Sequence, residues 1–222
     1  MKALRREPRF GFLLAGIITF LLFGPIAEEI FGAADGLILM IALSATLIIG
    51  IWSLQERRAL FITGLILAAA SIVITIIDMY SPDTSLALLL MAILLVFEVM
   101  SISLAVVHLF SAGEVSANRL MGGICVYLLL GMAWSVIYMY LIWLQPDAFA
   151  GAVEIGQGTL YWDMTYFSFV TLTTLGYGDI TPVSTGARAL AYTEAAVGQL
   201  YIAILIGTLV GSYLSKQTRG TA

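Results

Sequence analysis

Uncharged, apolar runs broken by short charged knots dominate the chain. Stretches long enough to cross a bilayer occur at 10–27, 36–54, 59–77, 85–110, 120–144 and 187–214, with Glu98 interrupting the fourth and Glu194 the last. About 20 apolar residues at 1.5 Å each cross the hydrocarbon core, so the pattern predicts six spanning helices. A different kind of segment lies between the last two. Residues 160–173 are too short to span and rich in aromatics, and they run directly into the string Thr174-Leu175-Gly176-Tyr177-Gly178-Asp179. Pro182 then breaks the chain ahead of the last apolar run. This spacing predicts a short re-entrant helix followed by a loop, inside an all-α membrane protein.

Composition agrees and orients the spans. Of the 222 residues, 61% are hydrophobic and 11% charged, and the mean hydropathy is +1.02. That is more apolar surface than a soluble domain of this size can bury. Lys2, Arg5, Arg6 and Arg9 precede the first run, and Arg57 and Arg58 lie between the second and third. Arg119 lies between the fourth and fifth, and Lys216 and Arg219 follow the last. With six alternating helices these all fall on one side and only Arg188 on the other, which predicts cytoplasmic termini. The opposite side collects Glu28, Glu29, Asp35, Asp78, Asp83, Asp147, Glu154, Asp163 and Asp179. Two readings of that acidic face are open: it raises the cation concentration at a pore mouth, or it is a solvated surface obeying the topology rule. The basic start followed by an apolar run is read as a first helix and not as a removed leader. Cys125 is the single cysteine and His108 the single histidine, so neither an intrachain disulfide nor a Cys- or His-built metal site is expected. Glu98, Glu194 and one histidine do not make a catalytic constellation, and no enzyme is expected.

The loop after the short helix has a chemistry of its own. To strip water from a monovalent cation, consecutive backbone carbonyls must face one axis, each replacing a hydration oxygen. A regular strand alternates its carbonyls, so positive φ is needed at intervals, and Gly176 and Gly178 supply it without a Cβ penalty. Thr174 adds a hydroxyl oxygen at the inner end. On this string, residues 120–214 resemble the pore module of tetrameric potassium channels: outer helix, pore helix, selectivity filter and inner helix. The resemblance implies a C4 homotetramer with its conduction path on the symmetry axis. It implies K+ held at Thr174, Leu175, Gly176 and Tyr177, with Gly178 completing the filter, and no organic cofactor. The implied organisation is a four-helix membrane domain at 1–110, a cytoplasmic linker at 111–119, a pore domain at 120–216 and a short tail at 217–222. Partners are the other subunits and membrane lipids, with no nucleic acid or soluble partner. The implied location is the cell membrane, of the bacterial inner-membrane kind.

Several positions depart from the family. Two tryptophans of its pore helix stack beside the filter tyrosine, and the second tethers the aspartate after the filter. Tyr166 and Phe167 take their places here, around Tyr177. Phe167 carries no donor, so Asp179 is expected to find another partner or to face water. Val170 replaces a carboxylate that some relatives place behind the filter, and Leu175 stands where valine or isoleucine is usual. Gly198 falls at the family's hinge glycine; bending for gating and close helix packing are both open. Glu98 and Glu194 lie inside spanning segments, where an unpaired charge costs of order 2–4 kcal/mol. Glu194 is read either as supporting the pore helix from behind, through Thr165, Ser168 or Thr171, or as facing a wet crevice near Arg188. Glu98 is read as a neutral acid bonded to a neighbouring helix or as a proton sensor.

The membrane field acts only on charge, at about 2.3 kcal/mol per charge per 100 mV. Residues 86–110, the fourth span, hold no Lys or Arg, so an arginine-bearing voltage sensor is not expected there. Few residues follow the last helix, so a cytoplasmic ligand-binding domain is not expected either. A leak-like or filter-gated potassium conductance is the reading these features support. Two alternatives stand beside it: a weakly selective cation channel, given Leu175 and Phe167, and a non-conducting modulatory subunit.

Overall fold

The computed structural model of the protein describes residues 10–31, 58–81, 83–109, 116–151 and 160–220. These form α1 (Phe10–Phe31), α2 (Arg58–Tyr80), α3 (Thr84–Leu109), α4 (Ala117–Leu144), α5 (Leu160–Leu172) and α6 (Thr185–Gly220). Five coincide with expected spans and α5 with the expected re-entrant helix; the span at 36–54 lies outside the described residues. Among the described helices α1, α3, α4 and α6 are long and apolar enough to cross a membrane, and α2 carries a shorter apolar stretch at Ile62–Ile77. The protein is a mostly helical, multi-pass membrane protein.

Polar residues set the helix ends. Asp83 Oδ1 accepts the Ser85 N–H at 2.9 Å at the start of α3. Ser116 Oγ accepts the Arg119 N–H at 3.3 Å at the start of α4, and Ser184 Oγ accepts the Ala187 N–H at 3.1 Å at the start of α6. Each side chain satisfies a donor that the first turn leaves open. Pro146, after Gln145, cannot continue α4, and a three-residue 3-10 turn (Pro146–Ala148) follows.

Helices α1, α3 and α4 share an apolar core that includes Ile17, Leu94, Phe97, Leu129 and Met132. The Phe10 N–H donates to Asn118 Oδ1 at 3.1 Å, so α1 and α4 begin at the same level. At the middle of α1, Phe20 packs against Tyr161 and Trp162 of α5, with ring centroids 6.1 and 5.1 Å apart. The Trp162 ring lies so close to Gly24 that a Cβ there would overlap it. Helix α1 is therefore docked on the first turn of α5.

A second apolar cluster, which includes Tyr138, Phe149, Met164, Phe167 and Ile180, joins α4, α5 and the segment after the loop. Two-residue strands close it: β1 (Phe149–Ala150) pairs antiparallel with β2 (Thr181–Pro182), Phe149 opposite Pro182 and Ala150 opposite Thr181. The Val183 N–H adds a bond to the Ala148 carbonyl at 2.9 Å. The exit of the loop is thereby clamped to the end of α4.

Candidate functional site

The loop folds back under the C-terminus of α5. The Val170 carbonyl accepts the N–H groups of Leu175 (2.9 Å) and Gly176 (3.3 Å), and the Thr171 carbonyl accepts that of Thr174 (2.9 Å). The last carbonyls of the helix are thus satisfied by the loop itself. Val170, which has no carboxylate to offer, supports the loop through its backbone. Positive φ falls at every second residue: 59° at Thr174, 61° at Gly176 and 81° at Gly178. Left-handed backbone at alternate positions turns alternate peptide planes over, so carbonyls that an extended strand would send both ways can share one side. The glycines were expected to do this; Thr174 was not. A residue with a Cβ gives up about 1–2 kcal/mol there, against which Thr174 gains its tie to Thr171 and a 3.4 Å contact from Gln199 Nε2 to its hydroxyl.

At the outer end Tyr166 and Tyr177 stack with planes 8° apart and centroids 6.4 Å apart. The Tyr166 hydroxyl donates to Asp179 Oδ2 at 2.6 Å, and Asp179 Oδ1 accepts the Ile180 N–H at 3.0 Å. The Tyr166 bond, the larger cause, holds the Asp179 carboxyl below its ordinary value. One expectation is met here and one changes. Asp179 has a partner, supplied by residue 166 and not by the donorless residue 167. Phe167 does not join the stack around Tyr177 but packs edge-on against Tyr138 and Phe149, at 5.0 and 5.1 Å. Consecutive helix residues point about 100° apart, so 166 and 167 face different neighbours.

Behind α5 lies a second support. Glu194, 0% exposed, meets the Tyr138 hydroxyl at 2.6 Å through Oε2 and the Ser168 hydroxyl at 2.5 Å through Oε1. Ser168 Oγ also lies 2.7 Å from the Gly131 carbonyl. Of the three pore-helix hydroxyls considered from sequence, Ser168 is the one bonded to it; Thr165 donates to the Tyr161 carbonyl at 2.7 Å instead. Arg188 is exposed and donates through Nε to the Pro182 carbonyl at 3.2 Å, so Glu194 does not share a crevice with it. Gly198 abuts the same helix: a Cβ there would overlap the Leu172 carbonyl oxygen. Close packing accounts for the glycine, and α6 runs through it without interruption. The Tyr127 hydroxyl donates to that carbonyl at 3.3 Å.

Tyr127, Gly131 and Tyr138 went unnoticed in the sequence. They lie four and seven residues apart on one face of α4, a spacing that marks a helix stripe. Glu98 stands outside this arrangement. It is 0% exposed, and among the described residues neither carboxyl oxygen has a hydrogen-bond partner, nor do the buried Tyr161 hydroxyl and Trp162 indole nitrogen. Among the described residues the expected bond to a neighbouring helix is not found, and nearby Ser101 donates to the Phe97 carbonyl at 2.9 Å.

The profile of the ion channel family matches residues 122–215, covering the outer helix, both supports and the filter loop. A rice protein named two pore potassium channel b is 38% identical over 109 residues, which are 49% of this chain and 26% of the relative. The two-pore potassium channel 4 of Arabidopsis thaliana is 34% identical over 71 residues, 32% of this chain and 24% of the relative. Over that stretch the chain is similar to an ion channel family and to two-pore potassium channels. The chain spans about a quarter of the length of these two curated relatives. No solved structure matches the chain significantly.

Proposed function

We propose that four copies of the chain assemble around one axis and conduct K+ passively through their joined filter loops. Each loop contributes carbonyls from Thr174, Leu175, Gly176 and Tyr177, and the Thr174 hydroxyl at the inner end, as substitutes for the ion's water shell. The observation that carries this reading is the alternation of positive φ at Thr174, Gly176 and Gly178, in a chain whose match to an ion channel family covers those residues. The side chains of Leu175 and Tyr177 are 56% and 66% exposed on the single subunit, which leaves the loop open to neighbours. Membrane lipid would cover the outward faces of the spanning helices, and both termini would lie in the cytoplasm. The relatives are plant proteins, and nothing in them favours a bacterial membrane. The fourth span holds no Lys or Arg, so opening would not be driven by arginines in that helix.

Reconstitution into planar bilayers tests the reading. The expected result is unitary current that follows the K+ gradient and is blocked by barium, from a particle of four subunits. A reversal potential indifferent to exchanging sodium for potassium would replace selectivity with general cation conduction. Silence in every lipid, or a lone subunit in bilayers, would overturn the pore.

A further inference from the structure

Three close oxygen–oxygen contacts meet at the buried support, and the hydrogens they need fix a charge state. Tyr138 Oη lies 2.6 Å from Glu194 Oε2. Ser168 Oγ lies 2.5 Å from Glu194 Oε1 and 2.7 Å from the Gly131 carbonyl oxygen. Oxygens this close need a hydrogen between them; without one, lone pairs face lone pairs. Tyr138 has one hydrogen to give and Ser168 has one. The Gly131 carbonyl has none, and it already accepts from Ser135 Oγ at 2.8 Å. The third hydrogen has a single source, the Glu194 carboxyl.

We propose that Glu194 is a protonated carboxylic acid donating to Ser168, so that a bound proton ties the inner helix to the pore helix and its release loosens the filter. The functional half of this rests on the channel reading above, and the protonation half on geometry alone. The bonds then run in one direction: Tyr138 to Glu194, Glu194 to Ser168, Ser168 to the Gly131 carbonyl. They cross from α4 to α6, to α5, and back to α4, with every oxygen satisfied.

The surroundings agree. The titratable groups acting on the carboxyl from α4 are the phenols of Tyr138 and Tyr127, uncharged near neutral pH. From α5 it meets the hydroxyl of Ser168, and among the described residues no cationic side chain acts on it. Arg188, two turns away on α6, is occupied at the surface with Pro182. A bare carboxylate would be buried without a counter-charge, which costs several kcal/mol. If the proton leaves, two hydrogens must serve three contacts. Ser168 turns to the carboxylate and its tie to Gly131 is lost. Ser168 stands two residues before Val170, whose carbonyl holds the Leu175 and Gly176 N–H groups, so slack there reaches the ion-binding backbone.

Infrared difference spectra of the whole purified chain, parent minus Glu194→Gln, test the protonation. The expected result is a carboxylic-acid carbonyl band that shifts in D2O and vanishes in the variant. Loss of an ionised-carboxylate band instead, or no change in the acid band, overturns the proposal. Glutamine keeps an N–H for Ser168 and an oxygen for Tyr138, so the variant is expected to conduct like the parent, whereas Glu194→Leu is not. In bilayers the parent current should fall reversibly at alkaline pH, about tenfold per unit beyond the onset for a one-proton step, and Glu194→Gln should stay flat. An unchanged alkaline fall in the variant would remove the regulatory half. A parent with the acid band but no current would leave the proton in place and fail the channel reading, so the two are separable.

Discussion

The two supports of the filter loop differ in nearly every physical respect. The outer one, Tyr166 to Asp179, joins residues thirteen apart and is exposed. The inner one joins three helices around a carboxyl that no solvent reaches. Water can replace a lost partner at the first and cannot at the second. A net hydrogen bond contributes about 1 kcal/mol, but a buried polar atom left alone costs about 1–3 kcal/mol. The outer support therefore tunes the loop, and the inner one holds the subunit together.

Substitutions can break that contrast in a defined order. Gly198→Val drives a branched side chain into the Leu172 carbonyl on the buried side and should cost about 3 kcal/mol. Thermal unfolding of the assembly in detergent should show the largest loss of this set. Tyr138→Phe strands Glu194 Oε2 and should cost about 2 kcal/mol; an undiminished midpoint would mean that the buried bond does not hold the subunit. Gly24→Leu pushes the Trp162 ring off α1 and should cost about 1 kcal/mol through overpacking, with the filter's ion preference kept. Tyr166→Phe should leave thermal stability unmoved while shortening the conducting bursts in single-channel records. If it unfolds the protein instead, the distinction between the two supports collapses.

Acidity gives the smallest effect. The Tyr166 bond favours the ionised form of Asp179, so the carboxyl's folded value lies below its ordinary one. The outer tie is then present through neutral pH and persists as the pH falls through the usual aspartate range near 4. It is lost only below that, as protonation removes the acceptor. Burst durations in the parent should hold steady down to that range, and Asp179→Asn should remove whatever change follows further acidification.

The helices were legible because long apolar runs end at charged or proline-bearing knots, and α3, α4, α5 and α6 begin within a few residues of where those knots fall. The filter was legible because few sequences need two glycines around a tyrosine after a threonine. Its left-handed Thr174 was not, since a β-branched residue argues against positive φ and only the surrounding bonds reverse that. That Asp179 needs a partner other than residue 167 was legible from the missing donor on Phe167; that Tyr166, one residue earlier on the turn, supplies it was not. Tyr138 was invisible for another reason. A tyrosine in an apolar helix reads as core, and only the packing of α6 against α5 shows that its hydroxyl meets a carboxyl. Glu194 itself could be ranked by membrane cost, yet its proton could not be placed until three oxygens were seen together.

At Gly198 the inner helix touches the peptide backbone of its neighbour with no room for even a methyl group. A helix in that position cannot roll or sway without dragging the end of α5 along. Further down, around Gly207 and Gly211, nothing crowds the axis. Any swing of the lower part of α6 therefore has its fulcrum below Gly198, or else it carries the end of α5 and the loop after it as it moves.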